Sequence, residues 1–278
     1  MQQQFTIDDE PEQRGASDGA GGTWQETTVR ELNMLTSIRG FFAASFLAGA
    51  AFVATPALAQ DESEITISGN AALVTEYRFR GVDLSGGDIA IQGGIDLSHS
   101  SGFYVGTWGS SLDEDTVGYG HTELDIYGGW SGDIASGVSA DVGLLAYLYP
   151  NAGPGDFDYY EVYGSVGFTF GPAETTLGVA YAFEQDSLGG DDNLYLYADV
   201  GIGIPNTPVS VSGHIGYTDG FLTYTSDGNA FDWSIGAEFA LNDNLSAGVA
   251  YIDAEGEYAP GDYEFTDGAV VGTLSISF

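Results

Sequence analysis

Hydrophobic and polar residues alternate along most of the chain after residue 60, with the two-residue period of a β-strand. The segment 268–278 is a clear case, because Val270, Leu274 and Ile276 occupy one set of positions and mostly small or polar residues occupy the other. In 193–204, leucine, valine and isoleucine alternate in the same way with tyrosine and aspartate. Successive side chains of a strand point to opposite faces, so these patterns predict sheets with one apolar and one polar face.

The same period predicts about twelve strands separated by turn-forming segments. They are 65–80, 88–98, 102–111, 121–131, 137–149, 157–171, 173–184, 193–204, 208–219, 230–241, 244–254 and 268–278. Short connections such as 132–136 alternate with longer ones such as 150–155, as the turns and loops of bacterial outer-membrane barrels do. We therefore predict an all-β fold, an antiparallel transmembrane β-barrel of about twelve strands.

The strands of a soluble β-sandwich also alternate between apolar and polar residues. The final strand taken alone is therefore compatible with a sandwich as well as with a membrane barrel. The polar faces of the predicted strands carry carboxylates in mid-strand, which fits a wet lumen better than a second solvent-exposed face. Aromatic residues near the strand ends predict two girdles at the membrane interfaces. They are Tyr77, Phe79, Phe103, Trp130, Tyr160, Phe170, Phe183, Tyr217, Phe231, Tyr251 and Phe278.

An export signal precedes the strands. Residues 34–59 contain Arg39, an apolar run over 41–54 and an Ala57-Leu-Ala59 sequence, the layout of a secretory signal peptide cleaved after Ala59. The apolar run is shorter than a membrane-spanning helix, which favours a cleaved signal over a signal anchor.

Residues 1–33 are polar and show no regular period. The only two methionines are Met1 and Met34, so we predict that translation starts at Met34 and that 1–33 is a mis-assigned or disordered extension. The functional barrel then consists of residues 60–278.

The charge of the predicted barrel is strongly negative. Three of the five basic residues precede residue 60 and leave only Arg78 and Arg80, while seven acidic residues precede residue 61, so 41 − 7 leaves 34 and a formal charge of about −32. Without a basic patch to neutralise phosphates, a nucleic-acid partner is excluded. The absence of cysteine excludes disulfides and thiol chemistry.

The candidate pore-lining residues share the polar strand faces. They are Glu76, Arg78, Arg80, Asp96, Glu123, Asp125, Asp141, Glu161, Asp199 and Glu238. The period of two places both arginines on the inward face of strand 65–80, where they form the positive side of a constriction or compensate neighbouring carboxylates. The two interpretations are compatible, and so many carboxylates favour cations in an open pore.

The sequence gives little support for a metal site or a catalytic site. Acidic clusters such as 113–115 and 191–192 are potential Ca²⁺ ligands, but their spacing does not match an EF-hand, so we predict solvated loops and no metal or cofactor. His99, His121 and His214 belong to no catalytic motif, and we interpret them as wall or loop residues of a protein that is not an enzyme.

Two runs carry a resemblance to a known family. Glu76-Tyr-Arg-Phe-Arg-Gly81 and the segment 91–110, which contains Gly-Phe-Tyr-Val-Gly-Thr-Trp-Gly, resemble the TorF-type porin family of bacterial outer-membrane proteins. The resemblance extends from about residue 64 to the end and implies a porin-like role without a defined substrate. The strand that finishes at Phe278 is similar to the C-terminal signal with which outer-membrane barrels engage the barrel-assembly machinery.

Together these observations predict a bacterial outer-membrane protein in contact with outer-membrane lipid. The expected function is passive diffusion of small cationic or neutral solutes through a porin-like channel. Two alternatives are a non-conducting structural or adhesive barrel and, less favoured, a lipid-modifying enzyme that uses His121 or His214.

Overall fold

The computed structural model describes residues 64–257 and 264–278. The predicted extension 1–33 and the predicted signal peptide 34–59, with Ala57 and Ala59, lie outside the described residues. Within the described ranges, no helix is both long enough and apolar enough to cross a membrane.

The described residues are almost entirely β-structure. The strands are β1 (Ile65–Val74), β2 (Arg78–Phe79), β3 (Val82–Asp83), β4 (Ala90–His99), β5 (Phe103–Ser111), β6 (Thr122–Ala135), β7 (Val138–Leu148), β8 (Tyr159–Phe170), β9 (Ala173–Gln185), β10 (Asp191–Gly203), β11 (Val209–Gly220), β12 (Asn229–Ala240), β13 (Leu245–Ala254) and β14 (Ala269–Ser277). The helix α1 (Glu114–Val117) and a 3₁₀ turn (Asp186–Leu188) lie in two of the connections.

All strands except β2 and β3 form one closed antiparallel barrel, in which β1 pairs with both β4 and β14. The closing pair runs from Asn70 opposite Ser277 to Val74 opposite Thr273. It is extended by Gly69, whose N–H donates to the Phe278 carbonyl oxygen at 2.9 Å. The predicted all-β fold, an antiparallel barrel of about twelve strands, is confirmed.

The outer face of the barrel is apolar. Val270 is 68% exposed and Ile235 is 62% exposed, whereas Val271, next to Val270 in β14, is only 3% exposed. Exposed aromatic residues lie near both ends of the strands, with Phe170 at one end and Phe183 at the other. An apolar surface that continues around a whole barrel is the kind of surface that meets lipid.

Connection length differs between the two ends of the barrel. At one end, here called the turn end, the connections are 100–102, 136–137, 171–172, 204–208 and 241–244. At the other, here called the loop end, they are 75–89, 112–121, 149–158, 186–190, 221–228 and 255–268. The connections therefore follow the predicted alternation of turns and loops.

The first predicted strand, 65–80, is wrong beyond Val74. Residues 78–83 instead form the separate hairpin β2–β3, with Arg78 opposite Asp83. Its connecting residues have positive φ, 49° at Arg80 and 79° at Gly81, as a two-residue type I′ turn requires. This turn reverses the chain after β1 has ended, so residues 78–83 do not continue the wall strand.

Residues 75–89, here called the inner loop, fold into the loop end of the barrel. Residues 76–86 are all buried or only partly exposed. Tyr77, which is 3% exposed, and Phe79 therefore lie inside the barrel, and their predicted place in an outer girdle is wrong. Arg78 and Arg80 likewise belong to the inner loop and not to a wall strand.

The barrel interior as candidate functional site

The polar face of the wall strands points into the barrel and carries the predicted carboxylates. Asp96, Glu123, Asp125, Asp141 and Glu161 are each at most 8% exposed. They alternate with outward side chains, so that Ile126, next to Asp125, is 48% exposed. A role for these carboxylates in lining a conducting pore stays a prediction.

The other predicted acids have more varied positions. The side chain of Asp199 in β10 is 27% exposed, and Glu238 in β12 is partly buried. Glu76 belongs to the inner loop, where its side chain is 13% exposed and forms an ion pair with Arg78. Burial raises the pKa of the Glu76 carboxyl, against the opposing effect of the Arg78 charge.

Arg80 crosses from the inner loop to the barrel wall. Its Nη2 donates to both carboxylate oxygens of Glu161, at 2.8 Å to Oε1 and 2.7 Å to Oε2. The guanidinium carbon lies 4.4 Å from the ring centroid of Tyr195, within cation–π range. Tyr147 donates its hydroxyl to Glu161 Oε2 at 3.1 Å. We call Glu161, Tyr147 and Tyr195 the Arg80 site.

Arg78 makes different contacts, which stabilise the backbone of the inner loop and join it to the connection 255–268. Its Nη1 donates to the carbonyl oxygens of Gly81, at 2.9 Å, and Phe265, at 3.2 Å. The Asp83 N–H donates to the same Phe265 oxygen at 2.8 Å. The two arginines therefore do not act as one pair: Arg78 fixes the backbone of the loop, and Arg80 attaches the loop to the wall.

Aromatic packing completes the filling of the loop end. The Tyr147 and Tyr159 rings stack with their centroids 4.3 Å apart, and Phe79 meets the Tyr147 ring edge-on at 5.6 Å. Tyr77 donates its hydroxyl to Glu123 Oε1 at 3.0 Å. The inner loop is therefore packed against β6, β7 and β8 by both apolar and polar contacts.

A second ionic cluster lies in the wall. His214 places Nδ1 2.7 Å from Asp199 Oδ1 and Nε2 2.9 Å from Asp232 Oδ1. The Tyr195 hydroxyl is 2.9 Å from the same Nε2. We call His214, Asp199 and Asp232 the aspartate–histidine cluster.

Sequence reasoning found only part of this cluster. Asp199 is among the predicted pore-lining residues, but Asp232 is not, and His214 was expected to be an ordinary wall residue. The register pairs Asp199 with His214 between β10 and β11, and His214 with Ser234 between β11 and β12. The cluster could have been found from the sequence by aligning the polar faces of consecutive predicted strands, since this alignment places the three residues close together.

Tyrosines supply neutral donors to other interior acids. Tyr127 donates to Asp96 Oδ1 and Tyr104 donates to Asp141 Oδ1, both at 2.6 Å. Asp125 differs, because neither of its buried carboxylate oxygens accepts a hydrogen bond from the described residues. The residues that the structure describes contain no group of three or more acidic, histidine or cysteine side chains arranged to hold a metal ion.

A closed barrel with an apolar outer face and a polar interior defines a transmembrane β-barrel as the class of protein. A family described as "Bacterial protein of unknown function (Gcw_chp)" matches residues 58–278, and the chain belongs to this family. Membership of the TorF-type family stays a prediction. No curated protein matches the sequence.

Solved structures that match include outer-membrane porins and channels. A KdgM porin, solved in complex with disordered oligogalacturonate, has a TM-score of 0.51 and 7% identity over 76% of this chain and 97% of its own. A NanC porin has a TM-score of 0.49 and 10% identity over 76% of this chain and 98% of its own. The outer-membrane channel DcaP of Acinetobacter baumannii has a TM-score of 0.41 and 10% identity over 77% of this chain and 97% of its own. At such identities, the KdgM match supports the barrel fold and nothing finer.

Proposed function

We propose that the protein is a bacterial outer-membrane channel for passive diffusion of small cationic or neutral solutes. The observation that carries this proposal is a closed barrel whose outer face is apolar and whose interior concentrates carboxylates. An interior of that charge attracts cations and repels anions. The porin fold of the KdgM relative is consistent with the same role.

The test is the conductance of refolded residues 60–278 in a planar lipid bilayer under a salt gradient. We expect steady channels whose reversal potential shows cation selectivity, because permeating ions pass interior carboxylates. Heat-modifiable gel mobility serves as the control for folding. A reversal potential with anion preference contradicts the proposal.

A second candidate function is a non-conducting structural barrel, and the inner loop favours it. Residues 76–86 are buried or partly buried and occupy the loop end together with buried aromatic residues such as Tyr147 and Tyr159. For this candidate, we expect no conductance from a folded barrel even after the inner loop has been released by substitution.

A further inference from the structure

The Arg80 site contains the groups that bind a guanidinium ion. A carboxylate accepts the N–H donors, an aromatic face lies against the cation, and the surroundings are dry. The side chains of Arg80 and Glu161 are only 6% and 1% exposed. The guanidinium in this site is supplied by the inner loop of the same chain.

The wall side of the site does not depend on the loop. Tyr147, Glu161 and Tyr195 belong to β7, β8 and β10, whose relative positions are set by continuous strand pairing through β9. The Tyr147 hydroxyl donates to Glu161 and orients the carboxylate without help from Arg80. The site is therefore preorganised for a cation before the loop reaches it.

The loop side of the contact fits less well. Arg80 has a φ of 49°, an unfavourable backbone conformation for a residue with a side chain. Its Nη1 is buried and has no hydrogen-bond partner among the described residues. The contact thus uses Nη2 and the cation–π contact with Tyr195 but leaves Nη1 without a hydrogen-bond acceptor among the described residues.

We propose that Glu161, Tyr147 and Tyr195 form a binding site for small organic cations bearing a guanidinium group, and that Arg80 is a tethered competitor for it. When Arg80 occupies the site, the inner loop fills the loop end of the barrel. When a free guanidinium cation replaces Arg80, the inner loop is released from the wall. The role of this exchange in transport rests on the proposed channel function, whereas the binding itself does not.

The binding test uses methylguanidinium and isothermal titration calorimetry on the refolded barrel in detergent. Arg80→Gln removes the competitor, so we expect it to bind methylguanidinium at least tenfold more tightly than the wild type. Arg80→Gln combined with Glu161→Gln should lose this binding. Arg80→Gln combined with Glu238→Gln is the matched control, because it removes one interior carboxylate elsewhere in the wall and should keep the binding.

Trypsin reports the position of the inner loop, because Arg78 and Arg80 are the only arginine or lysine residues within 60–278. Methylguanidinium should expose Arg78 and Arg80 in the wild type, and tryptic cleavage should rise severalfold at saturating ligand. Tetramethylammonium at the same concentration is the control cation, since it has no N–H to donate to Glu161.

The outcomes separate the two proposals. A folded Arg80→Gln barrel that binds no methylguanidinium overturns the binding site, whatever its conductance. Binding without conductance in any variant retains the site and contradicts the channel function. Should Arg80→Gln fail to fold, wild-type cleavage unchanged by methylguanidinium overturns the proposal, and cleavage that rises supports it.

Discussion

The barrel interior contains two ionic clusters that look alike in composition and differ in construction. In each, a buried cationic group meets carboxylates beside Tyr195. The Arg80 site joins a loop residue to the wall, whereas the aspartate–histidine cluster is built wholly from β10, β11 and β12. A contact within the wall is lost only when the barrel opens, but a contact to a loop is lost when the loop moves. Contacts of the first kind therefore bear on the stability of the barrel, and contacts of the second kind bear on the position of the inner loop.

The wall cluster places one imidazole ring between two carboxylates. Each ring nitrogen of His214 faces a carboxylate, Asp199 at 2.7 Å and Asp232 at 2.9 Å. A neutral imidazole has one N–H and can donate to only one of them, whereas the imidazolium donates to both. The geometry therefore suits the imidazolium form of His214, which can donate to Asp199 and Asp232 at once.

The largest expected effect comes from breaking the wall cluster. His214→Ala leaves Asp199 and Asp232 facing each other without a cation, so we expect a loss of about 3–5 kcal/mol in the free energy of unfolding. Urea titration in detergent, followed by heat-modifiable mobility, measures it. His99→Ala at the turn end is the control and should change stability by less than about 0.5 kcal/mol. Equal stabilities of the two variants would show that the cluster does not hold the wall together.

A smaller effect is expected from the turn of the inner loop. In Gly81→Ala, the new Cβ would lie 2.6 Å from Ala254 Cβ in a residue with φ 79°, and we expect the loop to be displaced at a cost of about 1–3 kcal/mol. Tryptic cleavage should then increase while the barrel stays heat-modifiable.

Gly190→Ala is the matched control for that substitution. Gly190 has a φ of 82°, close to that of Gly81, but an added Cβ would meet nothing within 4 Å. Its backbone cost is the same, so the difference between the two variants isolates the contact between inner loop and wall. Unchanged tryptic resistance in Gly81→Ala would contradict a loop held by close packing.

Removal of a single hydroxyl is expected to cost no more than the Gly81→Ala substitution, and it tests the comparison between wall and loop most directly. Tyr127→Phe removes a donor within the wall, and Tyr77→Phe removes one between loop and wall. Each leaves a carboxylate short of one hydrogen bond, at a cost of about 1–3 kcal/mol if the acid stays buried. We expect Tyr127→Phe to lower the urea midpoint and Tyr77→Phe to raise tryptic cleavage with little change in the midpoint. A lower midpoint in Tyr77→Phe together with increased cleavage in Tyr127→Phe would contradict separate roles for wall contacts and loop contacts.

The strands of the barrel could be predicted because each satisfies a local rule. In β14, Val270 and Val271 differ in exposure, at 68% and 3%, as the two-residue period requires. The number of strands and the sorting of connections followed from the same period and from turn-forming residues.

The inner loop could not be predicted in the same way. Alternation continues through Tyr77 and Arg78, so the pattern gives no sign that the strand has ended at Val74. The reversal at Arg80 and Gly81 is stabilised by distant residues, including Glu161 and Phe265, that a local pattern does not place. Tertiary contacts determine the conformation of this segment, and therefore the different contacts that Arg78 and Arg80 make.

Closure of the barrel has a consequence for how the chain reaches its native state. The pair β1–β14 joins Asn70 to Ser277, residues that lie near opposite ends of the described chain. Contacts between such remote segments form slowly, because a long stretch of chain must be ordered before they are made. Until then both β1 and β14 present unpaired edges that can recruit other strands. During folding, closure of the barrel by β1 and β14 therefore competes with pairing of the same edges with other chains.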